Sequence, residues 1–262
     1  ADGSGNLYAG EFKTIKGKKY AFRNDGRMIN GLKFLDIDED NQSIEVYADD
    51  HGTYNFDNED DFLDHAVEYY EPNKIKCFYF GDGDDGAMRT NKTTVEIDGE
   101  NHNFYFEKSG GNKGAGVTGE KDDKLYQSGM LLKADSDDKY VVVDKTTKYT
   151  TNAAGEKVLD YVTYNKLDDA KNFMDQADVT ATSTPVVDGK VNIGNNNTKK
   201  AEDLSEAYTI TYIQTDPDVK HEYILINTSG KIIDNKGKNK DGNDYYYVTD
   251  NSGKITNIYV ED

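Results

Sequence analysis

Residues Gly17 to Leu32 read GKKYAFRNDGRMINGL, and this stretch decides the fold prediction. Tyr20 and Phe22 alternate with other residues, the glycine-containing turn Asn24-Asp25-Gly26 follows, and a second short apolar segment comes after it. Alternating aromatic residues on either side of a glycine-containing turn are typical of a β-hairpin. The stretch therefore predicts two antiparallel strands joined near Gly26.

Similar units recur along the chain. Aromatic or apolar strand segments followed by turns occur at 77–88, 104–119, 140–143, 223–232 and 245–255, with further turns predicted near Gly83 and Gly111. A single two-stranded hairpin is marginally stable in water, so such units must stack or pack on helices. We predict a mainly β protein of stacked, solenoid-like β-hairpin repeats.

Two short amphipathic helices are predicted as cover for the hairpins. The segment 57–71 begins with acidic residues, carries Phe62 on an apolar stripe and ends before Pro72. The segment 165–176 places Phe173 on a similar stripe. Both rings should be buried against sheet.

The repeats are clearest before residue 150, which suggests a hairpin repeat region over 1–150 and a more divergent hairpin or sheet region over 151–262.

Composition excludes several classes of function. Lysine and arginine total 31 against 50 aspartate and glutamate, a net charge of −19, which does not suit nucleic acid or an anionic membrane. The mean hydropathy of −0.87 is low, but 20 tyrosines and 10 phenylalanines can build sheets. One cysteine excludes an internal disulfide framework, and no apolar run reaches the roughly 20 residues of a membrane helix. With no leader visible before it, Ala1 is interpreted as the start of a mature or trimmed chain.

The unit Gly-x-x-Tyr-x-Phe-x-x-x-Gly-x-Met-x-x-Gly over 17–31 resembles the cell-wall-binding repeat of choline-binding and glucan-binding proteins. The match is close here, good in two further units and loose elsewhere, and it covers about half of the chain. The resemblance implies stacked hairpins that anchor a Gram-positive surface protein to the envelope, with ligands held between hairpins by two tryptophans and a methionine or tyrosine.

The tryptophans of that pattern are absent. The first falls on Lys19, Cys77 and Asn103, and the second falls on Leu32 or near Lys92 and Glu120, while the chain has no tryptophan at all. A choline cage holds its cation by attraction to aromatic faces. We therefore expect choline to bind weakly or not at all.

Aromatic side chains of the hairpins are the candidate ligand-binding residues, since aromatic faces pack on the apolar faces of sugars. They are Tyr20, Phe22, Phe78, Phe80, Tyr105 and Tyr246. The competing interpretation is that alternate rings form the hairpin core and the others pair across strands.

Other chemistries have weak signals. The acidic runs 36–40, with Glu45, and 82–85 could suggest calcium, but counting from Asp36 places Tyr47 where an EF-hand needs glutamate. We interpret them as solvated turns. Cys77 and the four histidines show no metal-ligand spacing, and no hydrolase, phosphate-loop or dinucleotide motif occurs, so neither a metal, a cofactor nor catalysis is predicted.

The sequence thus favours a non-catalytic, extracellular and cell-surface-associated binding or anchoring module whose partner is cell-wall or environmental polysaccharide. An alternative is a structural or protein-interaction module, such as an adhesin or spacer of a bacterial surface protein. An enzyme on an all-β repeat scaffold is the third hypothesis, because fold alone does not settle function.

Overall fold

The computed structural model describes residues 3–38, 43–47, 56–167, 170–234, 239–242 and 244–262. The chain is mainly β. The first ten strands are β1 Glu11–Ile15, β2 Lys18–Phe22, β3 Leu32–Asp38, β4 Ser43–Val46, β5 Ile75–Tyr79, β6 Asn91–Ile97, β7 Glu100–Phe106, β8 Gly119–Lys121, β9 Lys124–Gln127 and β10 Met130–Leu131. The others are β11 Tyr140–Thr151, β12 Lys157–Lys166, β13 Val179–Ser183, β14 Val186–Val187, β15 Lys190–Gly194, β16 Asn197–Lys200, β17 Leu204–Tyr212, β18 Val219–Asn227, β19 Asn239–Lys240, β20 Tyr245–Thr249 and β21 Ile255–Glu261.

The chain divides into two compact units. The first comprises Ala1–Thr118 and Tyr126–Leu131, and the second comprises Gly119–Leu125 and Leu132–Asp262. The first unit contains the hairpin β1-β2, the sheet β4-β3-β5 and the antiparallel neighbours β6, β7 and β10. The second contains the sheets β12-β11-β18, β13-β17-β21-β20-β19 and β14-β15-β16. Residue 150, the predicted boundary, falls within β11.

Within the described ranges, four hairpin turns share the same two backbone hydrogen bonds. In each copy the first residue's N–H donates to the carbonyl of the fifth, and the glycine in fourth place donates to the carbonyl of the first, with both bonds 2.8–3.2 Å long. The copies are Arg23–Arg27, Asn152–Glu156, Asn227–Lys231 and Asp250–Lys254. The glycine φ angles lie between +78° and +84°, a region that favours glycine in such a three-residue loop. The turn predicted at Gly26 is confirmed, and the same geometry recurs in the second unit. The strand predicted after this turn is limited to one bridge between Phe22 and Met28, because β2 pairs along its length with β1 instead.

In three of these turns, the side chain of the first residue accepts hydrogen bonds from later residues of the same turn. The Oδ1 atom of Asp250 accepts hydrogen bonds from the amide and hydroxyl of Ser252 and from the amide of Lys254. Asn227 makes the equivalent three bonds, and Asn152 accepts two backbone N–H groups. An Asp or Asn at the first position therefore supplies the acceptor that the folded turn needs.

In the first unit, the segment 77–88 is joined in the same way to the segment 17–32 and to the segment 104–119. The amide of Met88 donates to the carbonyl of Lys19 at 2.8 Å, and the amide of Gly116 donates to the carbonyl of Cys77 at 2.8 Å. The side chain of Met28 lies over Gly86, and that of Met88 over Gly114; a Cβ atom at either glycine would come within 2.4 Å of the methionine sulfur. Repeated contacts therefore join these hairpins, although a solenoid-like stack over the whole chain is not confirmed.

The predicted hairpin rings lie on extended backbone. Tyr20 and Phe22 are in β2, Phe78 is in β5, Phe104 and Phe106 are in β7, and Phe80 directly follows β5. Turns form at 83–84 and 111–114, as the sequence predicted.

The helix predicted over 57–71 is present as α1, Glu59–Glu68. Asn58 caps the helix, because its Oδ1 accepts a hydrogen bond from the amide of Asp61 at 2.9 Å. Three acidic residues in the first turn stabilise the helix further, because their negative charges interact favourably with the positive end of the helix dipole. Phe62 is fully buried and its ring lies 5.9 Å from that of Phe34 in β3 and 5.3 Å from that of Phe104 in β7. The predicted burial of Phe62 is confirmed. No helix in the described part of the chain is long and apolar enough to span a membrane.

The second predicted helix, 165–176, is wrong. The strand β12 continues to Lys166, which pairs with Val143, and Leu167 still donates its amide to the carbonyl of Val142. Among the described residues of this segment, the one helical element is a 3-10 helix over Ala170–Asp175. Pairing with a long neighbouring strand has overridden the helical pattern. Phe173 is nevertheless fully buried, with its ring 5.7 Å from that of Tyr223 in β18.

Candidate functional site

The β1-β2 hairpin has one face in the core and one face outside it. Phe12 and Ala21 are paired across the strands, Ala21 is fully buried, and the ring of Phe12 lies 5.5 Å from that of Phe78. Because side chains alternate between the faces of a strand, Tyr20 and Phe22 share the opposite face. Both rings are half-buried there.

A third ring joins this outer face. Tyr8, which precedes β1, lies with its ring centroid 5.3 Å from that of Phe22 and is also half-buried. We call Tyr8, Tyr20 and Phe22 the aromatic platform. Sequence reasoning missed Tyr8, because it stands before the first strand in a glycine-rich segment with no alternating pattern.

Charged residues border the aromatic platform. Register places Glu11 opposite Phe22 and Lys13 opposite Tyr20, and the Lys13 Nζ lies 4.9 Å from the centroid of the Tyr8 ring. The face therefore offers apolar rings next to one hydrogen-bond acceptor group and one donor group. That combination suits a ligand that has both apolar faces and hydroxyl groups.

Lys19 lies at the first tryptophan position of the repeat pattern and belongs to the other face. Its Nζ lies 4.2 Å from the centroid of the Phe12 ring. Burial, with repulsion from Lys113, lowers the pKa of Lys19. The protein's own Lys19 ammonium therefore occupies the face of the Phe12 ring where a bound cation would lie.

Three other predicted ligand-binding residues are buried. Phe80 is fully buried, Phe78 is 3% exposed and Tyr105 is 2% exposed. Phe78 and Phe80 pack in one cluster with Ala21 and Leu35, whereas Tyr105 packs with Val117, Tyr126 and Leu131. Their ring faces are occupied by protein, so the binding role predicted for them gains no support from their placement.

Tyr246 is half-buried in the second unit. Its ring stacks on that of Tyr259 at 4.8 Å and 2°, and its hydroxyl donates to Oε2 of Glu261 at 3.0 Å. Lys199 pairs with the same carboxylate, and the Lys240 Nζ lies 5.5 Å from the Tyr246 ring centroid. Tyr246 therefore has protein partners on its ring and on its hydroxyl.

The acidic runs line clefts or form structural contacts. Asp36, Asp38 and Glu45 line a cleft of about 580 Å³, and Asp36 is 3.3 Å from the Lys74 Nζ. In the second run Asp82 accepts the Tyr79 hydroxyl at 2.7 Å, while Asp85 pairs with Arg89. Glu39 and Asp40 lie outside the described residues. Within the described ranges no three His, Cys, Asp or Glu side chains form a group that could hold a metal ion.

Cys77 and the histidines are in different surroundings. Cys77 is buried in β5, and burial raises the pKa of its thiol, which disfavours the nucleophilic thiolate. His65 lies 3.2 Å from Asp61, His102 lies 3.5 Å from Glu59, and His221 lies 2.9 Å from Asp144. The fourth, His51, lies outside the described residues.

Comparison with known proteins found similarities among solved structures only. No family model matches the chain, and no curated protein matches it. Among solved structures the chain is similar to choline binding protein F from Streptococcus pneumoniae, with 19% sequence identity, a TM-score of 0.29, and coverage of 94% of this chain and 72% of that one. A similarity at this TM-score does not establish a shared fold.

Proposed function

We propose that this protein is a non-catalytic, extracellular module that attaches to cell-wall or environmental polysaccharide through the aromatic platform. The observation that carries the proposal is the presence of three half-buried rings on the outer face of a hairpin whose inner face is buried. A rigid hairpin presents such rings without further ordering, which lowers the entropic cost of binding.

The platform's borders fit a sugar ligand better than an apolar one. The rings can pack on the apolar face of a sugar, while Glu11 can accept from and Lys13 can donate to its hydroxyl groups. The repeated hairpin turns and the repeat resemblance support the same class of module. We also propose that the chain lacks catalytic activity, since the buried Cys77 thiol is poorly suited to act as a nucleophile.

Removal of two platform rings tests the proposal. Each ring lost should weaken binding by about 1 kcal/mol, roughly fivefold, so Tyr20→Ala/Phe22→Ala should reduce polysaccharide binding by roughly thirtyfold. Binding is measured by affinity electrophoresis and pull-down with soluble α- and β-glucans and insoluble cell walls. The matched control is Tyr161→Ala, which removes a half-buried tyrosine from the second unit.

Equal binding by the double variant and the parent would contradict the platform. Binding lost equally in Tyr161→Ala would show a general effect on folding rather than a site. Thermal unfolding of all variants is recorded in parallel, because a folded variant is needed for the comparison.

Choline is expected not to bind at a saturable site. The tryptophan cage is missing, and Lys19 already places an ammonium over the Phe12 ring, where a second cation would be repelled. Calorimetric titration in physiological salt should show no saturation at about 1 mM choline or above, a range in which binding free energies are near −4 kcal/mol. A saturable isotherm would mean that other rings form a cage.

A protein-interaction module is the second candidate, and one observation favours it. The strand β14 lies at the edge of its three-stranded sheet, with Val186 59% and Val187 66% exposed. Exposed apolar residues on an edge strand can pair with another chain. This candidate is favoured if no polysaccharide is retained and Val186→Lys abolishes a self-association seen by sedimentation.

A further inference from the structure

Three lysines surround one carboxylate in the second unit. The Nζ atoms of Lys145, Lys220 and Lys254 lie 3.3, 3.0 and 3.8 Å from the carboxylate oxygens of Glu222. The Glu222 side chain is 17% exposed and the lysine side chains are between 29% and 46% exposed. We call these four residues the lysine cluster. The ammonium groups therefore remain accessible from solvent although they share a carboxylate.

The backbone places all four side chains on one face of the sheet. Lys145 in β11 is directly opposite Glu222 in β18, and Lys220 precedes Glu222 by two residues on the same strand. Lys254 pairs in an isolated bridge with Ile224, two residues after Glu222. Ile224 is buried on that face, so the lysine cluster lies at the margin of a packed region and its geometry depends on sheet register.

The charge of the lysine cluster is unbalanced. Three ammonium groups against the carboxylates of Glu222 and of Asp250, which interacts with Lys254, give 3 − 2 = +1, in a chain whose net charge is −19. Burial disfavours the charged form of Glu222, but the nearby Lys220 and Lys145 outweigh this effect and lower the pKa of Glu222. The carboxylate of Asp250, which interacts with Lys254, is engaged in the hairpin turn through Oδ1. The three ammonium groups repel one another, and an anion would relieve that repulsion.

We propose that Lys145, Lys220 and Lys254 form a binding site for a single phosphoryl group, with Glu222 holding the three lysines in place. A phosphate monoester carries a charge of about −1.5 to −2 at pH 7 and three acceptor oxygens, which suits a cluster of net positive charge with three ammonium donors. A long polyanion is a poorer match, because the rest of this acidic chain would repel it. The proposal is independent of the aromatic platform, which lies in the other unit.

Phosphate titration followed by NMR is the experiment. Inorganic phosphate should bind saturably with a Kd in the millimolar range, as suits an exposed charged site, and should shift the backbone amides of Lys145, Lys220 and Lys254. Acetate at equal concentration should bind more weakly, since it has one charge and two oxygens. Added sodium chloride should weaken phosphate binding, because salt screens exposed charges over about 8 Å at physiological ionic strength.

Two variants give opposite expected signs. Lys145→Gln/Lys254→Gln should weaken phosphate binding by about tenfold or more. Glu222→Gln should tighten it about three- to tenfold, because the repelling negative charge is removed while the amide oxygen of glutamine can still accept hydrogen bonds from the lysines. The matched control is Lys190→Gln/Lys231→Gln, which removes two exposed lysines of the same unit and changes the net charge equally. A purely structural ion-pair cluster would not give tighter phosphate binding in Glu222→Gln.

The outcomes separate the alternatives. Absence of saturation, shifts located elsewhere, or equal losses in the lysine-cluster variant and its control would each overturn the proposal. If Glu222→Gln does not fold, Lys145→Gln/Lys254→Gln against its control decides alone. Glycerol 1-phosphate identifies the source: binding at least as tight as inorganic phosphate supports an ester carried on a ligand, and tighter binding of inorganic phosphate supports the free ion.

Discussion

Replacement of Phe62 by alanine is expected to lower the free energy of unfolding by about 3–5 kcal/mol, the usual cost of truncating a fully buried aromatic ring. Phe62 is fully buried, and its ring lies 5.0 Å from that of Phe56, 5.9 Å from that of Phe34 and 5.3 Å from that of Phe104. Since these contacts join α1 to β3 and β7, the cavity would open at the point where the helix packs on strands. Urea unfolding followed by circular dichroism measures the loss.

The control is Asp64→Ala on the same helix, where the side chain is exposed and a change within about 0.5 kcal/mol is expected. A loss below about 1 kcal/mol in Phe62→Ala, well under the usual cost of such a truncation, would show that α1 does not stabilise the first unit through this ring. In that case the role of the helix as cover for the strands would be wrong.

The sequence predicted hairpins well where the signal was local. In the stretch 17–32, alternating rings and one glycine-containing turn mark β2 and the turn at Gly26, and the structure forms both. The partner strand of β2 is β1, which precedes this stretch. The helix α1 was likewise predictable, because acidic residues, an apolar stripe and Pro72 mark its ends locally. Its boundaries were predicted too wide by two residues at one end and three at the other.

The segment 165–176 shows where local signals fail. Its apolar spacing suits a helix, but Asn165 and Lys166 lie opposite Asp144 and Val143 and so extend the β11-β12 ladder. That pairing depends on a strand about 20 residues earlier in the chain, and a single helical window does not include it.

The aromatic triplets show why half of the candidate site was not predictable. In the segment Phe104-Tyr105-Phe106, strict alternation would place Tyr105 outside if the two phenylalanines faced the core. All three are buried, since Phe104 packs on Phe62 while Tyr105 packs on Tyr126 across the other face. A continuous apolar run indicates a strand that is covered on both faces. At Tyr20 and Phe22, by contrast, the apolar run is only three residues long and follows Lys18 and Lys19, and both rings stay half-buried.

The lysine cluster was beyond sequence reasoning for a different reason. Lys145, Lys220 and Lys254 are far apart in the sequence, and only the register of β11 and β18 brings the first two together. No short motif encodes that register, so the juxtaposition becomes visible only once the strands are paired.

Replacement of Gly116 by alanine is expected to be strongly destabilising, although alanine is otherwise among the mildest substitutions. A Cβ atom at Gly116 would lie 2.3 Å from the carbonyl oxygen of Ser128 and 2.8 Å from the amide nitrogen of Gly129, both backbone atoms. Backbone cannot rotate away as a side chain can, so the strands must separate locally. Overpacking of this kind costs about 1–3 kcal/mol and occasionally more, and we expect the upper part of that range.

The separation should also break the contact between hairpins, because the Gly116 amide donates to the carbonyl of Cys77. Gly111→Ala is the matched control: Gly111 lies in the loop of the same hairpin, a Cβ atom added there would meet nothing within 4 Å, and the position does not require a positive φ. Alanine there should leave stability unchanged or raise it by up to about 1 kcal/mol, since it restricts the unfolded chain. Thermal unfolding of both variants measures the difference in stability. Hydrogen exchange at the amide of residue 116, compared between Gly116→Ala and Gly111→Ala, measures the loss of its bond to Cys77. Equal stabilities would mean that the close approach of residues 116 and 128 is not part of the folded hairpin, and the repeated contact between successive hairpins would then lose its physical basis.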